Sequence, residues 1–357
     1  MSDNLYVILN KAYVYIISED SYTFTLLENE LGEYFTVTRD AGLLASDCIC
    51  IGSVEFYSSE GLYESTLAEY ANCSYTEFYM HKPKNTKNED RIGRISKEDG
   101  LTIVDSVTKK SVIVCDYDKK VIKLYNSDLD RGSKEVRRIV RDQLLVPYYE
   151  SRGAIVMHSS AFCRSESGTL VVGSSGSGKT TVYMEALNRA DSYRFLTCER
   201  TLIIPEESKL LMKGIPEQIN FFPGSFDMYE ETRSLTKGIS QSDFWKRSYK
   251  IKTKWRKVLQ CFGAEVASGP VALKKICLPK YMTSDLQAQE FIKASYRELV
   301  DSEVLTFNDT IRPNWLAWYV RDDTRCKRTI DMLLEMDCEK LLWNKREDIA
   351  KFLDKAA

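Results

Sequence analysis

Gly173-Ser174-Ser175-Gly176-Ser177-Gly178-Lys179-Thr180 matches the pattern G-x-x-x-x-G-K-[ST] at every fixed position, and the fold prediction depends on it. An apolar, β-prone run at 169–172 precedes it, and residues 181–187 follow with apolar side chains at helical spacing. A strand, a glycine-rich loop and a helix in this order predict a P-loop. The alternative is a glycine-serine turn that matches by chance.

A P-loop predicts a site for ATP and Mg²⁺. Its glycines let successive backbone N–H groups converge on an anion, and the following helix adds its positive N-terminal end. Lys179 would reach the β- and γ-phosphates, and the Thr180 hydroxyl would coordinate Mg²⁺. The predicted nucleotide-binding residues are Ser174, Ser175, Gly176, Ser177, Gly178, Lys179, Thr180 and Thr181.

Composition places the chain among ordinary globular proteins of one large domain or two. It has 357 residues, of which 43% are hydrophobic and 29% charged. The net charge of −2 argues against binding nucleic acid over the whole surface. Ten scattered cysteines and two histidines make a zinc site an unfavoured interpretation. The N-terminus lacks the layout of a secretory signal, and no apolar run reaches the length of a membrane span, so we expect a cytoplasmic protein with reduced cysteines and no membrane contact.

The pattern of apolar residues predicts a β-rich N-terminal module over 1–130 and an α/β P-loop domain over 131–357. The module carries no catalytic cluster, and we interpret it as structural or substrate-recruiting. In the second part we predict a helix at 133–149 that Pro147 bends or ends, and a strand at 154–158. Further predicted strands lie at 193–197 and 201–204, paired with each other, and at 271–278. Further helices are predicted near 286–300, 325–336 and 345–353.

A P-loop alone does not name a reaction. No L-S-G-G-Q-like signature of transport ATPases follows it, and no run of four apolar residues ending in Asp follows it either. Two other residues are candidates for the missing metal and base functions. His158 precedes the P-loop strand, and Glu199 lies about twenty residues beyond Lys179, where a carboxylate could hold Mg²⁺ or accept a proton. A core histidine and an ordinary charged turn are the plain alternatives.

Met157-His158-Ser159-Ser160-Ala161, the P-loop and Arg194-Phe195-Leu196-Thr197-Cys198-Glu199-Arg200 together resemble the catalytic domain of HPr kinase/phosphorylase. The chain is more similar still to HPr-kinase-related proteins of bacterial biosynthetic clusters, such as lasso-peptide tailoring kinases. The resemblance extends over roughly 134–340 and is strong from 153 to 205. It implies an HPr-kinase-like P-loop fold.

In that family the γ-phosphoryl group goes to a serine hydroxyl of a protein or peptide. The resemblance therefore implies an ATP- and Mg²⁺-dependent serine kinase, with His158, Lys179, Glu199 and Arg200 as catalytic residues and Thr180 and Glu199 as metal ligands. Glu199 or His158 would orient or deprotonate the acceptor, and Arg200 would neutralise transition-state charge or pair with Glu199. Cys198 departs from the family, since it stands where the first of two acidic residues is expected. A cysteine does not replace a carboxylate on a hard metal.

Several alternatives stay open. The chain could be a nucleotide-binding regulator or pseudokinase, or a kinase of a small molecule or a nucleic-acid terminus. Residues 245–257 are basic and aromatic and could bind an acidic peptide, the nucleotide phosphates or RNA, or form a solvated helix face whose aromatic rings point inward. Because related kinases assemble into rings, a homo-oligomer is a further expectation by analogy.

Overall fold

The computed structural model describes residues 3–80, 92–98, 100–106, 109–217, 219–246, 250–267, 269–282, 284–305 and 313–355. Over these residues the protein has the mixed α/β composition that the sequence predicts, with two nine-stranded sheets. It divides into two compact units. The first is Met1–Arg152 with Thr306–Asp322, and the second is Gly153–Leu305 with Asp323–Ala357. No helix of the described part of the chain is long and apolar enough to cross a lipid bilayer.

The first unit is built on a sheet of order β3-β1-β2-β4-β9-β8-β7-β6-β5, in which β2, β4 and β9 are parallel neighbours. Its strands are β1 (Asp3–Leu9), β2 (Ala12–Ser18), β3 (Thr36–Thr38), β4 (Ile49–Ser58), β5 (Thr76–Tyr79), β6 (Ile92–Glu98), β7 (Leu101–Ser106), β8 (Ser111–Asp116) and β9 (Val121–Asn126). Its helices are α1 (Ser21–Leu31), α2 (Glu60–Glu69), α3 (Leu129–Arg138) and α4 (Val146–Glu150). The first unit thus combines nine strands with four α-helices over the residues described.

The division between the units differs from the predicted boundary at 130. Helix α3 packs on α1, β4 and β9, so residues 131–152 belong with the first sheet. A π-helical segment, Ile139–Leu145, joins α3 to α4, and Pro147 lies in the first turn of α4. The sequence predicts that Pro147 bends or ends the helix; the backbone stays helical through Pro147, so the helix does not end there.

The second unit is built on a sheet of order β13-β11-β12-β18-β15-β14-β10-β19, with β20 added beside β18. Its strands are β10 (Ile155–Met157), β11 (Ser159–Arg164), β12 (Ser167–Val172), β13 (Arg194–Thr197), β14 (Thr201–Glu206), β15 (Lys209–Gly214), β18 (Val271–Tyr281), β19 (Val304–Leu305) and β20 (Cys338–Trp343), and β16 (Ile219–Phe221) pairs separately with β17 (Ile251–Thr253). Its helices are α5 (Lys179–Leu187), α6 (Pro223–Asp227), α7 (Trp255–Phe262), α8 (Asp285–Lys293), α9 (Tyr296–Asp301), α10 (Asp323–Leu334) and α11 (Arg346–Lys355).

Two apolar clusters cover this second sheet. Val182 of α5 and Phe352 of α11 pack with Val171 of β12 and Cys277 of β18. The neighbouring residues along these two strands belong to the other cluster, which packs with α9 and α10. Successive side chains of a strand point to opposite faces, so the two helix pairs cover opposite faces of the sheet. The P-loop strand β12 and the helix α5 are therefore both fixed in the core.

The strands that flank Cys198-Glu199-Arg200 are present, but the prediction that they pair with each other is wrong. Strand β13 pairs with β11, whereas β14 pairs with β10 and β15. Since β10 and β11 are separated only by His158, residues 198–200 cross beside it from one partner strand to the other. The backbone N–H of Ser159 donates to the carbonyl of Glu199 at 3.3 Å. This crossing brings Glu199 next to His158.

Lys213 on β15 is a buried cation in the second unit, only 3% exposed. Burial lowers its pKa from 10.5 to about 8. The unfolded chain therefore binds this proton more tightly than the folded one, so stability rises with pH between about 8 and 10.5. Below this pH window the buried charge of Lys213 destabilises the folded state by its full amount, which the pKa difference sets at about 3 kcal/mol.

We expect Lys213→Met to raise the free energy of unfolding at pH 7 by up to about 3 kcal/mol, because it removes this buried charge. The gain should shrink as the pH approaches 10.5. Urea unfolding of both proteins across this pH range checks the result. Lys209→Met, which changes an exposed lysine of the same strand, is the matched control and should show no gain. An equal gain at pH 7 and pH 10.5 would contradict the electrostatic explanation.

Candidate nucleotide-binding site

The P-loop has the curled backbone that the sequence predicts. Gly176 and Gly178 adopt positive φ angles of 85° and 111°, which residues with a side chain rarely adopt. The N–H of Ser177 donates to the carbonyl of Ser174 at 3.1 Å and closes the turn. Helix α5 begins at Lys179 immediately after it, so the amides of its first turn face the loop. Strand, loop and helix follow one another as expected.

Two residues from distant strands hold the loop in place. The indole Nε1–H of Trp343 and the backbone N–H of Tyr281 both donate to the carbonyl of Ser177, each at 3.1 Å. The two aromatic rings pack against each other with their centroids 4.8 Å apart. A Cβ added to Gly178 would lie 2.5 Å from the ring of Trp343. Gly178 is therefore required both by its backbone angle and by this contact.

We expect Gly178→Ala to weaken ATP binding strongly, because the new methyl group would displace Trp343 and the carbonyl that it holds. The backbone angle alone should cost about 1–2 kcal/mol. Isothermal titration with Mg·ATP gives the affinity, and thermal melting gives the stability. Gly263→Ala is the matched control, since Gly263 has a positive φ of 62° and nothing within 4 Å of an added Cβ. That control should lose stability but keep its affinity for ATP; an equal loss of affinity in both variants would contradict the role of Trp343.

Lys179 is buried although it carries the charge of the motif. Its Nζ donates to the carbonyl of Gly173 and lies 3.5 Å from that of Ser174. Burial lowers its pKa, and the charges of Glu303 and Glu199 oppose this shift. The ammonium group is thus held by loop carbonyls at the position from which it can turn toward a phosphate.

A cavity of about 500 Å³ opens over the loop, within the range of ligand pockets. Its lining includes all the predicted nucleotide-binding residues except Ser177, whose side chain is buried in the loop. The cavity also brings two more of the predicted site residues, His158 and Glu199, beside Lys179. Candidate phosphate-binding groups and a candidate acid–base pair therefore share one cavity.

His158 and Glu199 form the polar end of this cavity. Nε2 of His158 lies 3.9 Å from Oε2 of Glu199. The other ring nitrogen, Nδ1, lies 2.8 Å from Oε2 of Glu303, a residue that the sequence did not single out. A histidine between two carboxylates and beside a phosphate site can exchange a proton with a bound hydroxyl.

Arg200 lies elsewhere. Its Nη1 forms an ion pair with Oε1 of Glu217 at 3.1 Å, and the guanidinium is only 11% exposed. Arg200 is not among the residues that line the cavity. The basic residues that do line it are Lys179, Lys250 and Lys345, and the charge of Lys250 contributes to the lowered pKa of Lys179. The catalytic role that the resemblance gave to Arg200 stays a prediction.

Cys198 lines the cavity but carries no charge there. Its thiol is buried, burial raises its pKa, and the Ser160 hydroxyl donates to its backbone carbonyl at 3.3 Å. The oxygen donors suited to Mg²⁺ at this point are the Thr180 hydroxyl and the Glu199 carboxylate. The described residues contain no group of three or more His, Cys, Asp or Glu that could hold a metal alone. Two protein oxygens fit Mg²⁺, since this ion is commonly held by few side chains together with phosphates and water.

Part of the basic and aromatic stretch forms another wall of the cavity. Trp245 is 60% exposed, its ring lies 6.1 Å from that of Phe222, and Nζ of Lys250 sits 4.6 Å from the centre of the Phe222 ring. Trp255, by contrast, is buried and packs on Phe195, as the inward-facing alternative predicts. Arg247 and Tyr249 lie outside the described residues. No sequence pattern marks Phe222, Tyr281 or Trp343 as part of the site, because all three resemble ordinary core residues.

Neither a protein-family model nor a curated protein matches the chain at a significant level.

Proposed function

We propose that the second unit is an HPr-kinase-like P-loop domain that transfers the γ-phosphoryl group of ATP, with Mg²⁺, to a hydroxyl, and that the acceptor is a serine of a peptide or protein. The observation that carries the proposal is the shared cavity, in which a curled P-loop and its buried lysine face His158 and Glu199. Phosphoryl transfer depends on positioning and charge neutralisation more than on covalent chemistry, and this cavity offers both.

Binding of the phosphates follows from the loop. The amides around Gly176 and those of the first turn of α5 would donate to the β- and γ-phosphate oxygens. The ammonium group of Lys179 would leave the loop carbonyls and bind the same oxygens. Lys250, which also lines the cavity, would add a second cation. Thr180 and Glu199 would hold Mg²⁺, which supplies further neutralisation of the phosphate charge.

Glu199 or His158 would orient the acceptor hydroxyl and take its proton. The two groups are 3.9 Å apart, so a hydroxyl at this end of the cavity can reach either of them. The wall formed by Phe222, Trp245 and Lys250 is partly apolar and partly cationic and opens to solvent. Such a wall suits a peptide chain that flanks the acceptor serine, which favours a peptide or protein over a small molecule.

The proposal is tested by incubating the full chain with Mg·ATP and a library of serine-containing peptides, followed by intact-mass analysis. The expected product carries one added phosphate, formed together with an equal amount of ADP. Sugars, nucleosides and oligonucleotides with free ends are run alongside. Transfer only to one of these classes would keep the kinase activity but reject the serine acceptor.

Cys198 favours a second candidate, a nucleotide-binding regulator that does not transfer phosphate. It places a neutral buried thiol where the resembling family has a carboxylate, so the site has one acid fewer for metal or proton. Such a protein would bind Mg·ATP with an affinity that depends on Lys179. It would yield neither a phosphorylated product nor ADP with any acceptor.

A further inference from the structure

The contacts of His158 identify a residue whose role the P-loop does not explain. Nδ1 of His158 lies 2.8 Å from Oε2 of Glu303, and the backbone N–H of His158 donates to the carbonyl of the same residue at 2.9 Å. One residue therefore holds both the main chain and the ring of His158. Two bonds from one partner fix the direction of the ring as well as its position.

Glu303 is itself well anchored. It stands in the turn between α9 and β19, and its N–H donates to the carbonyl of Val300 at 3.0 Å. Strand β19 then pairs antiparallel with β10, with Met157 opposite Val304. The Glu303 side chain is only 10% exposed, against 38% for His158. Its carboxylate thus reaches the histidine from a fixed backbone and from the side away from solvent.

The direction of the contact determines which nitrogen of His158 is available. A carboxylate accepts hydrogen bonds, so the bond to Glu303 requires a proton on Nδ1. The other nitrogen, Nε2, lies on the side of Glu199 and the cavity, where the proposed acceptor hydroxyl would lie. The identity of the protonated nitrogen in a histidine is commonly set by such a second bond.

We infer that Glu303 is a positioning residue for phosphoryl transfer: it holds His158 with Nδ1 protonated, so that Nε2 faces the acceptor hydroxyl beside Glu199. This inference rests on the proposed kinase function and adds a residue to it. Glu303 does not line the cavity, so it acts through His158 and not on the substrate.

The main variant is Glu303→Gln, which keeps the shape of the side chain and removes its charge. We expect kcat to fall about 10- to 100-fold, the range for carboxylates that orient a metal-bound histidine. KM for ATP should change less than kcat, although the Glu303 charge also acts on Lys179. Glu298→Gln is the matched control, because it removes an exposed carboxylate from the preceding helix and should leave both constants unchanged. Glu303→Asp keeps a carboxylate and should recover part of kcat. Thermal melting confirms that each variant is folded.

A second measurement does not depend on activity. The chain has two histidines, His81 and His158, so labelling of histidine with ¹⁵N gives two ring systems, and His158→Asn assigns them. His158 should carry its proton on Nδ1 in the native protein, and this form should lose population in Glu303→Gln but not in Glu298→Gln.

The outcomes separate the inference from the proposed function. Unchanged kcat and unchanged protonation of Nδ1 in a folded Glu303→Gln would overturn the inference even with an active kinase. A changed protonation of the His158 ring with an unchanged kcat would overturn the link between Glu303 and phosphoryl transfer. If the native chain transfers no phosphate, the proposed function fails, and the ring signals alone decide whether Glu303 orients His158.

Discussion

Replacing Lys179 by alanine is expected to abolish phosphate transfer and to reduce ATP binding to the limit of detection. The ammonium group is the buried cation of the loop, and it is already held within reach of the phosphate position by Gly173. Removing one preorganised charge of this kind from a reaction site costs about 100- to 1,000-fold in rate. The loss should appear in titration with Mg·ATP and in the initial rate of peptide phosphorylation.

The matched control is Lys274→Ala, which removes an exposed lysine from strand β18. Both variants change the net charge equally, so a difference between them reports on the loop and not on overall charge. Because Lys179 is desolvated and its pKa is lowered, its loss should not destabilise the fold strongly. Undiminished ATP binding by folded Lys179→Ala would show that the cavity does not hold phosphates in the expected way.

The parts of the fold that the sequence predicted correctly are those whose signals are local. The P-loop is marked by glycines at positions where only a residue without a side chain fits, and Gly178 shows the reason directly. The sequence of strand β18 is a continuous β-prone run, and the sequence of helix α10 has apolar residues at helical spacing. Each of these elements lies within a few residues of its prediction.

The parts that the sequence did not predict depend on contacts between distant residues. His158 and Glu303 are 145 residues apart, and neither neighbourhood contains a pattern that points to the other. Arg200 and Glu217, which form an ion pair, lie beside the paired ends of β14 and β15. The sequence instead predicts that β14 pairs with β13. Helix α3 was assigned to the P-loop domain because it precedes that domain, although its apolar side packs on the first sheet. Chain order is a weak guide to packing for a helix near the point in the sequence where one unit ends and the next begins.

Glu199→Gln is the substitution that decides between a kinase and a nucleotide-binding regulator. If Glu199 is the proton acceptor, the amide removes the base, and kcat should fall about 100- to 10,000-fold while ATP remains bound. If Glu199 instead anchors the metal, raising the Mg²⁺ concentration should recover part of the rate. A series of rates over Mg²⁺ concentration separates the two roles. The matched control is Glu265→Gln, an exposed carboxylate outside the cavity lining, which should behave like the native chain.

For a regulator the same variant should change no rate, because there is no transfer to lose. Its affinity for Mg·ATP would then be the quantity to follow, and only the metal contact of Glu199 could alter it. Under the proposed function the acceptor hydroxyl would lie beside both Glu199 and His158, whose nearest atoms are 3.9 Å apart, so the kinase outcome is the expected one. A native chain that phosphorylates a peptide, together with a Glu199→Gln variant that does so equally fast, would remove Glu199 from the mechanism and leave His158 as the base.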